Sequence, residues 1–161
     1  MTTRAEQLAQ RVEQGAHDLI AAVQHLSEEQ WRTPCGDENR SLGVLVHHVG
    51  AMYPLEADVV RTLAAEGGMP GLGWEAVNGI NADHATTNAD VDPATAMHLV
   101  HQNSALAAEV VRNLTDEQLD RVAPNGLHWS APLTVQFFVE QHPIAHPYIH
   151  LESITTALGE N

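Results

Sequence analysis

Four long runs in which apolar residues recur every three or four positions commit this chain to helices more firmly than any other feature. The first covers residues 3–26, with Thr3 and Glu6 at capping-box spacing and Leu8, Val12, Leu19 and Val23 keeping the period. Ser27 and Gln30 then cap a short turn ending near Pro34, and TPCGDENR reads as a loop. The second run starts at Ser41 and reaches Glu66, where Gly67 and Gly68 stop it; Pro54 falls inside and should kink it or remove one hydrogen bond. After the loop GGMPGLG, a shorter helix places Trp74, Val77, Ile80, Asn81 and His84 on one face. Asp92 followed by Pro93 opens the third run, which ends near Leu114. Thr115 and Gln118 repeat the capping-box spacing, VAPNGLHWSAP is a loop, and the last run covers residues 134–158, interrupted by Pro143 and Pro147.

LSEEQWR and LTDEQLDR echo one another, each following a long helix and leading into a Pro-containing loop. No run alternates as a half-buried strand would. The expectation is an all-α four-helix bundle with short connecting helices, a single domain over residues 1–161.

With 161 residues, the chain can bury one substantial core. A net charge of −14, from 21 acidic and 7 basic residues, argues against nucleic acid or an anionic membrane surface as a partner, since phosphate binding needs clustered cations. A single cysteine, Cys35, cannot form an internal disulfide, and nothing in PCGDENR sets a base beside it. The N-terminus is polar and no apolar run approaches the length of a membrane span, so a cytoplasmic protein is expected.

Eleven histidines are many for this length. His142, His146 and His150 lie four and eight residues apart, advancing a helix by only about 40° and 80°, so their rings should share a stripe. Phe138, Ile149 and Ile154 near the same faces argue against full exposure of that stripe. In the second helix Leu45, His48, Met52 and Leu55 step by three, four and three, which puts His48 on a core-facing line and turns His47 about 100° away. A buried imidazole needs a hydrogen-bond partner or a metal. His146 and His150 have the i, i+4 spacing at which two imidazoles share an ion, and the prolines after His142 and His146 impose a local cost that a functional site would explain. Three imidazoles leave open positions on the ion, the pattern of a catalytic site; Zn²⁺, Ni²⁺ and Fe²⁺ all accept nitrogen ligands.

In three stretches, LGVLVHHVGAMY, WEAVNGINADHA leading into DPATAMHLV, and HPIAHPYIHLESI, the sequence resembles the DinB-like (YfiT-like) superfamily of four-helix-bundle metalloenzymes. In that family one histidine of the second helix and an HxxxH pair of the last helix bind a divalent metal, and the pair is followed by a short polar stretch ending in Ile. The resemblance implies His48, His146 and His150 as ligands, followed by LESI. This sequence also offers His47 beside His48 and His142 before the pair. The family includes transferases that use a low-molecular-weight thiol such as mycothiol or bacillithiol.

The functional expectation is a metal-dependent transferase or hydrolase acting on a small molecule, with His84 or His142 moving a proton. A low-molecular-weight thiol is one candidate cofactor, and bundles of this kind often dimerise, so a homodimer is expected. A metal-binding stress or sensor module, and a metal-free dimerisation bundle, are the competing readings. Asn78 and Asn81 could join His84 in a polar wall over the metal, and Trp129 reads as a packing anchor at the mouth of the bundle. His98 and His101 are not expected to be ligands. His25 with Glu29 matches a ligand pair by spacing alone, and the chain lacks the Glu-x-x-His repeats of a di-iron bundle.

Overall fold

The computed structural model describes residues 2–35 and 40–159; residues 36–39, the middle of the expected TPCGDENR loop, and residues 1, 160 and 161 lie outside the described residues. Helix α1 (Arg4–Val23) opens at Thr3, whose hydroxyl accepts from the N–H of Glu6, and ends short of the expected Leu26. Helix α2 (Glu28–Trp31) carries a reciprocal capping box between Ser27 and Gln30. Two short strands follow, β1 (Pro34–Cys35) antiparallel to β2 (Arg40–Ser41), where the sequence suggested only a loop. Strands of two residues are too short to show an alternating pattern.

The long helix α3 (Leu42–Glu66) is capped by Ser41 and ended by left-handed Gly67. Helix α4 (Trp74–Thr87) and α5 (Pro93–Arg112) come next, the latter capped by the Asp92 carboxylate on the N–H of Thr95. Helix α6 (Asp116–Asp120) has a second reciprocal capping box, between Thr115 and Gln118, so the echo between LSEEQWR and LTDEQLDR marks two capped short helices. A 3-10 turn at Gly126–His128 leads to the last helix, which comes in three pieces: α7 (Val135–Val139), a π-helical turn (Glu140–Ile144) and α8 (Ala145–Leu158).

Helices α1 and α3 are consecutive long helices yet sit on a diagonal of the bundle. Each packs between α5 on one side and α8 on the other. Sequence neighbours are usually neighbours in space, so this arrangement requires the α2 segment and the β1–β2 pair to cross one end of the bundle. The core is mostly aliphatic, built from Val12 and Leu19 of α1, Val46, Val49 and Leu63 of α3, Val100 and Ala108 of α5, and Ile154 of the last helix, with Phe138 among them.

Pro54 does not break α3. It lacks the N–H that would bond to the Gly50 carbonyl, and that carbonyl instead accepts from Nδ2 of Asn103 on α5 at 2.9 Å. Gly50 makes this possible: a Cβ there would come within 2.8 Å of the Val100 backbone nitrogen. Small residues do the same at the α1–α8 contact, where a Cβ on Gly15 would come within 2.8 Å of Cγ of Pro147.

Helix α4 lies outside the core and buries no residue completely. Of the face expected from the sequence, Trp74 and Ile80 are exposed and only Val77, Asn81 and His84 turn inward, with Asn88 continuing their line; Asn78 is exposed. Trp129 is a second correction. It is 88% exposed and anchors no packing, because it sits in the left-handed region at φ 54, next to Ser130 at φ 57, on a turn that lifts the ring off the bundle. No helix among the described residues is long and apolar enough to cross a membrane.

Candidate metal centre

The site is assembled where two neighbouring helices, α3 and α8, pack against each other. Helix α3 carries His48 on the line Leu45, His48, Met52, all buried. The expected fourth member, Leu55, is 44% exposed. The line continues through Glu56, four residues beyond Met52, whose side chain is only 12% exposed. A continuous helix keeps its inward face on the four-residue step here, and 56 completes it where 55 does not.

The last helix supplies the other two imidazoles. Pro143 and Pro147 cannot donate to the carbonyls four residues back, and the chain widens into the π-helical turn, where the N–H of Ala145 reaches the carbonyls of Glu140 and His142. Beyond it α8 is regular, which keeps His146 and His150 one turn apart. π-turns of this kind are frequent at functional sites.

His48, His146 and His150 converge. Nε2 of His146 lies 3.1 Å from Nε2 of His48 and 3.0 Å from Nε2 of His150, and one ligand atom from each of the three lies within 4.8 Å of the others. His142 does not join them. The π-turn adds a residue to the turn and breaks the four-residue register, so the His142 ring stacks on Phe138 with centroids 4.1 Å apart and its Nε2 lies 3.4 Å from Nε2 of His128. Ile149, expected to be shielded, is exposed.

His47 stays out of the convergent group too, and pairs with His84. Nδ1 of His47 is 2.8 Å from Nε2 of His84, with the rings stacked, and the His84 ring meets the edge of His48 at a centroid distance of 5.5 Å. The remaining histidines, His17, His25, His98 and His101, are exposed.

Burial sets the electrostatics. It pushes His48 down to about 2, helped by the neighbouring His146, His150 and His84 and by Arg40. His150 falls to about 3 through burial, then His146 and Arg40. His84 falls to about 4 through burial, then His47 and Arg40. His142 also falls to about 4 through burial, against an opposite pull from Glu56. Near neutral pH these rings are therefore uncharged and keep a lone pair to offer.

The donor set fits a divalent ion. A neutral imidazole has one N–H and one lone pair, and three ring nitrogens crowded at one point cannot satisfy one another by hydrogen bonds alone. Nδ1 of His48 is also buried without a partner. Three nitrogen donors on one ion would leave positions open for water or substrate.

Glu56, Tyr53 and Arg40 have no role in a reading of the sequence by itself. Nδ1 of His146 lies 2.9 Å from Oε1 of Glu56, a close but oblique approach in which the ring N–H does not point along the line to the oxygen. Tyr53 is fully buried beside Glu56, and burial raises its phenol far above the usual tyrosine range. A signal for Glu56 was available: it is the first of two acids in the apolar run LVHHVGAMYPLEADVV, eight residues after His48. Arg40 sits next to residues 36–39 and carried no spacing to tie it to the histidines.

Among known families, the model of the DinB superfamily matches residues 11–154. The chain belongs to the DinB superfamily. Its fold is similar to that of YfiT from Bacillus subtilis, described as a probable metal-dependent hydrolase with an unusual four-helix bundle topology. That likeness has a TM-score of 0.67 at 19% sequence identity and spans 100% of this chain and 92% of the other. No curated protein matches the chain. Membership in the DinB superfamily agrees with the helical architecture and with three histidines placed where they could hold a metal.

Proposed function

We propose that this DinB-superfamily protein binds one divalent metal ion through Nε2 of His48, His146 and His150 and acts on a small-molecule substrate, with hydrolysis as the leading reaction. The observation that carries this reading is the convergence of three imidazoles from two helices at one buried point. The description of YfiT as a probable metal-dependent hydrolase supports the choice of reaction. Zinc, nickel and iron(II) all suit nitrogen ligands, and residue types do not choose among them. When bound, such an ion lowers the pKa of a water or thiol in its remaining positions.

The chain's own residues would then handle protons. Nδ1 of His47 and Nε2 of His84 lie 2.8 Å apart beside His48, which suits His84 to receive a proton from the substrate side and pass it toward His47. His142, paired with His128, is the candidate on the opposite side.

Transfer with a low-molecular-weight thiol is the second reading, favoured by one observation: Cys35, the chain's one cysteine, is buried, so a thiol nucleophile would have to arrive with a cofactor. A homodimer belongs to the proposal as well, and sedimentation velocity tests it.

The deciding experiment is elemental analysis of protein purified without an affinity tag, followed by activity screens with hydrolysable esters and amides and with thiols plus electrophiles. Wild type should carry about one metal per chain, and His146→Ala should lose metal and activity while keeping its helical signal. A wild-type protein that stays metal-free in excess zinc, nickel and iron(II) would overturn the reading. Stoichiometric metal without any activity would point to the sensor alternative.

A further inference from the structure

His146 holds the middle position in the cluster, with its Nε2 within about hydrogen-bond distance of both other ligand candidates. A neutral ring has its proton on one nitrogen only. With the proton on Nε2, His146 presents no lone pair to the shared point. With the proton on Nδ1, the lone pair is on Nε2 and faces that point. Whatever fixes the proton on Nδ1 therefore decides whether His146 can be a ligand at all.

Glu56 is in place to do this. Its Oε1 lies 2.9 Å from Nδ1, both side chains are largely buried at 12% and 16% exposure, and its Oε2 is buried without a hydrogen-bond partner. The last torsion of a glutamate is broad and soft, so the carboxyl can turn to present either oxygen to Nδ1. The position also has a mechanical logic. Glu56 and His48 are two turns apart on one uninterrupted helix, so the docking of α3 against α8 sets a ligand and the acid behind another ligand together.

We propose that Glu56 is the positioning residue of the metal centre: it accepts a hydrogen bond from Nδ1–H of His146, holds the tautomer that turns Nε2 to the ion, and places a negative charge behind an otherwise all-imidazole site. Carboxylates behind metal-binding histidines act in this way generally, and their loss weakens metal affinity about 10–100-fold. The inference rests on the three histidines being ligands.

The test uses zinc alone as probe, on wild type, Glu56→Gln, Glu56→Leu and His48→Ala. Zinc affinity is read by chelator competition, and the His146 tautomer by ¹⁵N chemical shifts of the metal-free proteins. Wild type should show the Nδ1–H form. Glu56→Leu should lose that form and bind zinc about 10–100-fold more weakly, and Glu56→Gln, whose amide oxygen still accepts, should lose less. A purely structural acid would change melting but leave zinc affinity alone. Zinc affinity within twofold of wild type in both Glu56 variants, or an Nε2–H form in wild type, overturns the proposal, and should the leucine variant not fold, the glutamine variant decides. His48→Ala should abolish zinc binding while His146 keeps its Nδ1–H form. If wild type itself takes up no zinc, the ligand reading fails, and the nitrogen shifts still report separately whether Glu56 sets the tautomer.

Discussion

At the scale of single residues, His48 illustrates a tension between stability and binding. Its imidazole is buried, its Nδ1 has no partner, and its Nε2 crowds that of His146. Such a group is costly without a metal, at roughly 1–3 kcal/mol for a buried polar atom left unsatisfied. His48→Leu should therefore leave the metal-free protein as stable as wild type, or more stable by about 1 kcal/mol, while abolishing metal uptake. Urea melts in chelator and elemental analysis check the two halves; a strongly destabilised, metal-binding variant would contradict both. The buried histidines also set a pH dependence. In the folded protein His48, His150, His84 and His142 are pushed to about 2, 3, 4 and 4, below the ordinary value of 6.5. As pH falls below about 6.5 the unfolded chain takes up protons that the native state does not, so stability rises with pH through this window. The stability of the metal-free protein should be full above that point and decline steadily toward about pH 4. Unfolding curves that stay level between about pH 7 and 5 would count against this burial.

At the scale of elements, α3 carries His48 and Glu56 through an internal proline, and a neighbour satisfies the carbonyl that the proline leaves free. The carbonyl of Gly50, released by Pro54, is recovered by Asn103 of α5. Asn103→Ala should cost about 1 kcal/mol, the net worth of such a hydrogen bond, and Asn103→Asp should not restore it, since a carboxylate has no N–H to give. Gly50→Ala should cost more, about 1–3 kcal/mol, because α5 would have to move off α3. Thermal melts of the three variants order these effects. The last helix shows how far its sequence could be read. The capping residue Thr134, the endpoint near Leu158 and the disturbance at Pro143 and Pro147 follow from local chemistry. That the disturbance becomes a π-turn, which moves His142 out of line with His146, does not. A proline says that a hydrogen bond is missing, and packing against Gly15 and Phe138 decides how the chain closes the gap.

At the scale of the whole molecule, the site ties α3 to α8, two helices that touch along the bundle but come from distant parts of the chain. A metal bound there should stabilise the entire fold by mass action, by about 2.7 kcal/mol at a hundredfold excess of free ion over its dissociation constant. For a chain of this size that corresponds to a rise in Tm of about 5–10 °C. Differential scanning calorimetry with and without chelator measures it, and a Tm indifferent to zinc, nickel and iron(II) would argue that no site closes between these helices. Arg4, Arg11, Arg61 and Arg112 are engaged in ion pairs, and 21 acidic against 7 basic residues leave the chain at a net charge of −14.

The order of helices, their caps and the residues able to bind metal were all present in the linear chain, because each depends on neighbours within about one helical turn. Spacing turned His47 away from the line of His48, but it left His142 on one stripe with His146 and His150, and it put Leu55 where the structure has Glu56. Those choices depend on which helix lies against which, and on the diagonal placement of α1 and α3, which no local signal carries. Which imidazoles come together is decided in three dimensions, since burial and convergence are relations between segments nearly a hundred residues apart.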